Sequence, residues 1–206
     1  MFGPLLAIGA ATGVTLAVLL IWTRLDPKLR FWPPPRTWSW QSILFWTLFR
    51  TLNVAAFALA ALDWQPWRGV SPDRLLGVGV AIAGVTLYSM ACYALGRGNL
   101  YCGKDGLVTN GMYRWTRNPQ YAMAIPAYLG LALASHSIWA FALALLLALT
   151  FVLMAIAEEP WLEAAYGEHY LAYSRQVARF YHWRHGVAVL KLELTRLERA
   201  LKEARP

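Results

Sequence analysis

Apolar runs of near-membrane length alternate with short polar connectors along this chain. Residues 3–22 (GPLLAIGAATGVTLAVLLIW) carry no charge. That run is long enough to span a bilayer, and with no basic segment ahead of it the pattern predicts a retained membrane helix rather than a cleaved signal. A second run covers 41–61 and a third 75–95, separated by the polar link from Asp63 to Arg74. Residues 23–40 form a basic connector whose Pro33-Pro34-Pro35 cannot sit in a helix interior. The last two runs, 120–134 and 138–157, are joined only by Ser135, His136 and Ser137, so they predict a tight antiparallel hairpin. Beyond them a helix is expected over 161–176, with Tyr166, Tyr170 and Tyr173 on one face as packing residues. The stripe Val187, Leu190, Leu194, Leu197 and Leu201 predicts an amphipathic helix over 186–204. That helix either lies on the membrane or pairs with a copy of itself, making a homo-oligomer. The expected architecture is therefore an all-α integral membrane protein forming one domain over 1–206. It has five transmembrane helices and amphipathic helices at its C-terminal end.

Composition agrees with that reading. Of the 206 residues 58% are hydrophobic and 15% charged, and mean hydropathy is +0.40; a soluble domain carries roughly 25% charged residues. The net charge of +8 would suggest nucleic acid in a soluble chain. Here Lys and Arg gather in 24–36, 97–117 and the C-terminal tail, while the link 63–74 holds only Arg68 and Arg74. The positive-inside rule then places the N-terminus outside and the C-terminus in the cytoplasm, with a bacterial inner membrane as the expected location. No nucleic-acid partner is implied. Cys92 and Cys102 have no metal spacing, and His136, His169, His182 and His185 form no ligand cluster, so no metal is expected.

The chemistry concentrates in GLVTNGMYRWTRNPQY, residues 106–121, and in Glu158-Glu159-Pro160 after the last apolar run. Asn118-Pro119 reads as a turn into a helix, with Asn118 as cap and Pro119 at the first helical position. Pro160 should interrupt the preceding helix and free the Ile156 carbonyl. Fifteen residues over 120–134 make a helix of about 22 Å, against a hydrocarbon core of about 30 Å. Pro119 and Tyr121 are thus expected a few ångströms below the membrane surface, where irregular backbone must line a cavity or be covered by protein. Arg114 and Arg117 offer guanidinium donors, although each could be an interfacial snorkeller. Tyr113, Trp115 and Tyr121 offer aromatic faces for a cation or a purine. Arg50 and Asn53 lie inside the second run, where ionisable groups are costly. A ligand bearing an amine, a carboxylate, a sulfonium and an adenine, such as S-adenosylmethionine, would engage this whole set.

The pattern GLVTNGMYRWTRNPQY, then a helical hairpin, then EEPWLEAAYGEHYLAYSRQVARF, resembles the integral membrane methyltransferases of the isoprenylcysteine carboxyl methyltransferase and phospholipid methyltransferase group, over roughly residues 75–181. The resemblance implies S-adenosyl-L-methionine as cofactor, held by segments 96–121 and 158–181. Its cofactor residues fall on Gly106, Leu107, Val108, Tyr113, Asn118, Pro119, Gln120, Tyr121 and Glu158, with Arg117 added from the chemistry above. Catalytic candidates are Glu159, Glu158 and Tyr121, and substrate-binding candidates are Arg50, Asn53 and Met154. Isoprenylcysteine enzymes usually carry His-Pro where this chain has Asn118-Pro119. Those of eukaryotes place an Arg where this chain has Met154. Met154 cannot hold a carboxylate. An amine, in contrast, needs a carboxylate such as Glu159 to take its proton. The reading therefore leans to N-methylation of an amine phospholipid, with carboxyl O-methylation of an isoprenylcysteine as the alternative. Two more distant readings are an NADPH-dependent membrane reductase, since sterol reductases resemble this C-terminal region, and a non-enzymatic membrane protein such as a transporter. Transporters place ionisable groups near the midplane, whereas here they cluster at one end.

Overall fold

The computed structural model describes residues 2–26, 28–65, 69–101, 103 and 105–180. Their regular elements are all helices, with no strand among the described residues: α1 (Phe2–Leu25), α2 (Trp40–Asp63), α3 (Pro72–Leu95), the short α4 (Arg97–Leu100), α5 (Pro119–Ser135), α6 (Ile138–Tyr166) and α7 (Glu168–Gln176). A 3-10 turn occupies Gly111–Arg114. Helices α1, α2, α3 and α6 are long and apolar enough to cross a membrane. The fifth expected span, α5, has 17 residues and is about 25 Å long. The amphipathic helix expected over 186–204 lies outside the described residues.

Local sequence sets the helix starts. The Ser39 hydroxyl accepts from Ser42 N at the head of α2, and Ser137 does the same for Ala140 N at the head of α6. Pro72 and Pro119 open α3 and α5 from the first turn, where the missing N–H costs nothing. Between α5 and α6 the chain reverses at His136, whose φ of 55° closes the hairpin.

The helices form two groups. α1, α2 and α6 pack through Leu16, Leu20, Leu52, Leu59, Leu143 and Leu147, all fully buried. α3 packs almost entirely on α5, and α5 joins the groups by packing on α6. The α3–α5 contact is built from small residues. A Cβ on Gly77 would sit 2.5 Å from Ala134 N, one on Gly130 2.6 Å from Ala81 N, and one on Gly84 2.8 Å from Ala127 Cα. The two backbones are in direct contact, the usual solution where lipid removes the hydrophobic drive for helices to associate. α2 and α3 share little contact, so a gap runs between them along the bundle.

Arg74, which the sequence offered only as a loop charge, is buried and holds the far end together. Its Nε donates to Ala134 O at 3.1 Å, and its Nη1 donates to Gln65 O at 3.1 Å and Gly69 O at 3.0 Å. Its guanidinium also lies 4.7 Å from the Trp64 ring centroid.

Three local expectations are corrected. Pro160 does not interrupt its helix: α6 runs through it to Tyr166, because one absent hydrogen bond is outweighed by continued packing on either side. The expected helix over 161–176 is instead two, because Gly167 at φ 54° turns the chain between α6 and α7. Asn118 precedes α5 but makes no side-chain cap, since its amide is engaged elsewhere.

Candidate active site

The site lies at the end of the bundle that carries the connectors 26–39 and 96–118. The second connector is braced by Asn99, whose Nδ2 donates to Leu95 O (3.2 Å) and Gly106 O (3.0 Å) while its Oδ1 accepts from Asp105 N (3.1 Å). Gly106 turns the chain at φ 116°, a conformation favouring glycine. The 3-10 turn then buries Tyr113 at 3% exposure. Its hydroxyl donates to Gln120 Oε1 at 3.0 Å, and its carbonyl accepts from the Tyr173 hydroxyl at 2.6 Å.

The segment after α7 fastens this connector. Arg117 N donates to Ala178 O at 2.9 Å, while the Thr116 hydroxyl (2.9 Å) and Asn118 Nδ2 (3.1 Å) both donate to Arg179 O. Glu159 locks the arrangement from α6. One oxygen meets Arg117 Nη2 at 2.9 Å, and both accept from Arg179 at 2.8 and 2.6 Å. Hydrogen bonding to Glu159 raises the pKa of Arg179, which keeps that guanidinium charged. The Arg117 guanidinium lies 5.8 Å from the Tyr170 ring centroid, and its Nε is buried without a partner among the described residues. Burial pushes the Tyr170 phenol up to about 12 against the opposing pull of Arg117, and burial also raises Tyr113 and Tyr173. All three are neutral at physiological pH.

Three cavities meet here. The first, of about 50 Å³, is lined by Gly106, Leu107, Val108, Tyr113, Arg117, Asn118, Gln120 and Glu158 from the candidate set, and by Leu95, Asn99, Gly103, Trp161, Leu162, Tyr166, Tyr170 and Tyr173. The second, of about 60 Å³, is an aromatic chamber walled by Trp32, Trp46, Phe49, Tyr88, Tyr121, Phe151 and Met154. It shares Leu95, Asn99, Gln120 and Glu158 with the first. The third is an apolar groove of about 540 Å³ in the gap between α2 and α3, floored by Ala124, Ala127 and Tyr128 of α5. It shares Phe49, Tyr88 and Phe151 with the chamber.

Some candidates fall away from the first cavity. Pro119 is fully buried behind it. Tyr121 turns into the chamber, where its hydroxyl donates to Glu158 Oε2 at 3.1 Å. Met154, 3% exposed, is a chamber wall. Asn53 lines the groove and accepts from the Tyr128 hydroxyl. Arg50 is exposed and lines none of the three, and Glu159 lines none either.

Sequence reasoning missed Asn99, Trp161 and Trp32, and it assigned Tyr166, Tyr170 and Tyr173 to packing, whereas all three tyrosines line the first cavity. Their shared helical face was the available signal. Trp32 is buried, stacks on Phe45 at 4.1 Å, and its indole N–H lies beside Glu158 without a hydrogen bond of ordinary geometry. Nothing in a proline-rich connector marks such a residue in advance.

Residues 72–169, from α3 through the first turn of α7, match the model of the phospholipid methyltransferase family. The resemblance carried by residues 106–121 and by Glu158-Glu159 thus stands. Over 62 residues the chain is 39% identical to the phosphatidylethanolamine N-methyltransferase of Schizosaccharomyces pombe, a match covering 30% of this chain and 7% of that protein. The chain therefore spans a small fraction of that relative's length. No solved structure matches.

Proposed function

We propose that this protein transfers the methyl group of S-adenosylmethionine to the amine of a membrane phospholipid. The observation that carries the reading is the meeting of a cavity lined by Arg117, Asn118 and Glu158 with an apolar groove through one aromatic chamber, with Glu158 and Gln120 on the shared wall. A water-soluble donor and a membrane-borne acceptor can approach that wall from opposite sides. The family of residues 72–169 and the name of the yeast relative support the same chemistry.

The lining of the first cavity fits the cofactor. The unpartnered Arg117 Nε leaves a buried donor for a carboxylate. The rings of Tyr166, Tyr170 and Trp161 offer faces for a purine or a sulfonium. S-adenosylmethionine, when bound, supplies a methyl group activated by its sulfonium. The remaining work is positioning and removal of a proton from the acceptor.

Glu158 is placed for that removal. An alkylammonium is protonated at neutral pH. It can pass one proton to the Glu158 carboxylate and keep the nitrogen lone pair for the methyl. Tyr121, donating to Oε2, orients the carboxylate toward the chamber. Glu159, the proton acceptor expected from the sequence, is instead read as a positioning residue, because two guanidinium groups hold both its oxygens. It keeps Arg117 against the first cavity. Met154 presents no cation in the chamber, which disfavours a carboxylate acceptor. The positive-inside distribution places this end of the bundle in the cytoplasm.

The test uses the full-length chain in lipid nanodiscs with methyl-labelled S-adenosylmethionine. Phosphatidylethanolamine should acquire label in its headgroup. Methyl-ester formation on a prenylcysteine, with none on phosphatidylethanolamine, overturns the reading.

A further inference from the structure

Arg50 stands close to the midpoint of α2, which runs from Trp40 to Asp63. Exposed Trp38 and Trp40 flank one end of that helix and Trp64 the other, as in the aromatic belts that mark membrane interfaces. Ten residues of helix separate Arg50 from Trp40, about 15 Å, or half of a hydrocarbon core about 30 Å thick. The side chain is exposed and has no carboxylate partner among the described residues. A lipid-facing cation at that depth is costly, and such residues are retained for function.

Its surroundings say what it lacks. The guanidinium lies 5.6 Å from the Trp46 ring centroid, one helical turn toward the site. A neutral ring offsets only part of the cost. Trp46 is a wall of the chamber that carries Glu158, while Phe49 and Asn53, adjacent on the same side of α2, line the groove. Arg50 lines neither, but it stands on α2 next to Phe49, where groove and chamber join. An ethanolamine phospholipid carries its charges in the matching order: acyl chains, then an anionic phosphodiester, then two carbons on, an ammonium. With chains in the groove and the ammonium at Glu158, the phosphodiester falls between them.

We propose that Arg50 binds the phosphodiester of the acceptor lipid and so selects phosphate-bearing amine lipids over phosphate-free ones. The inference rests on the methyl-transfer reading for what happens at the amine, but phosphodiester binding can be measured without it. A resident anionic lipid offers the same chemistry, and the assay separates the two.

Wild type, Arg50→Gln and Arg50→Lys are compared as full-length protein in mixed micelles. Turnover is measured with phosphatidylethanolamine and with a phosphate-free primary amine of equal chain length. Retention of phosphatidylcholine and of diacylglycerol is measured by native mass spectrometry, with S-adenosylmethionine affinity as the folding control. The expected result is a loss of tenfold or more in kcat/KM for phosphatidylethanolamine in Arg50→Gln, mainly through KM. Turnover of the phosphate-free amine and cofactor affinity should hold, and Arg50→Lys should recover part of the loss. Unchanged phosphatidylethanolamine kinetics overturn the proposal, and if Arg50→Gln still sheds phosphatidylcholine the anion belongs to a resident lipid. Equal loss on both acceptors also overturns it. If wild type methylates neither lipid, the amine-transfer reading fails by itself. Selective loss of phosphatidylcholine in Arg50→Gln, with diacylglycerol retained, then upholds the phosphodiester site, and equal retention refutes it.

Discussion

At the scale of single residues, two adjacent glutamates divide into different tasks because successive positions on a helix point about 100° apart. Glu158 faces the cavities with one oxygen bonded by Tyr121, whereas Glu159 faces Arg117 and Arg179. Glu158→Gln should therefore abolish most turnover while cofactor binding falls less. Wild-type turnover on an amine lipid should climb between about pH 6 and about pH 9, because an alkylammonium with a pKa near 10 gives up its proton more readily as pH rises. A flat profile would point to an acceptor already deprotonated at neutral pH. Glu159→Gln should show the opposite split: weaker S-adenosylmethionine binding, by calorimetry, with turnover at saturating cofactor largely kept. Arg117→Ala should weaken cofactor binding by about 1.5–3 kcal/mol, the range for a hydrogen bond to a charged group. Unchanged affinity in Arg117→Ala and Glu159→Gln together would remove the first cavity as the cofactor site. The importance of 106–121 and of the Glu pair is legible in the sequence, but the division of labour between the two carboxylates is not, because it depends on Arg179 arriving from a segment twenty residues away.

At the scale of elements, the α3–α5 interface is the most demanding packing in the molecule. Gly77→Val and Gly130→Val each drive a branched side chain into backbone 2.5–2.6 Å from where its Cβ must sit, and neither backbone can yield without separating the helices. Each should lower the thermal midpoint in detergent by several degrees and reduce folded yield. Gly79→Val, on the same helix with nothing within 4 Å of its Cβ, should be close to neutral apart from helix propensity. If all three behave alike, the close approach of α3 and α5 is wrong. The helix runs themselves are legible in hydropathy, and observed bounds differ from expected ones by a few residues at most ends. The exceptions are the extension of α6 through Pro160 and the turn at Gly167. Both are decided by packing and a positive φ, to which a hydropathy pattern is blind.

At the scale of the whole molecule, the proposed acceptor has a lateral route through the gap between α2 and α3. Because α5 packs on α3, it forms the floor of that groove. Val85 lines the groove and is well exposed, so Val85→Trp should fill it without disturbing the core. KM for a phospholipid acceptor should rise severalfold with cofactor affinity unchanged, by parallel kinetics and calorimetry. Loss of both together would mean that the groove and the first cavity do not serve separate ligands.

The sequence alone determined the membrane class, the apolar runs, the tight hairpin and the two polar segments proposed to carry the chemistry, because hydropathy, turn residues and charge act locally and are written in neighbouring positions. Tertiary structure alone decided which side chains share a cavity. Tyr166, Tyr170 and Tyr173 turn inward because α7 folds back at Gly167, Trp32 reaches Glu158 because a proline-rich connector closes over the end of α6, and Glu159 is taken from the site by two arginines. Each outcome depends on contacts between segments distant in the chain, where the energy of packing and ion pairing overrides what any local pattern can encode.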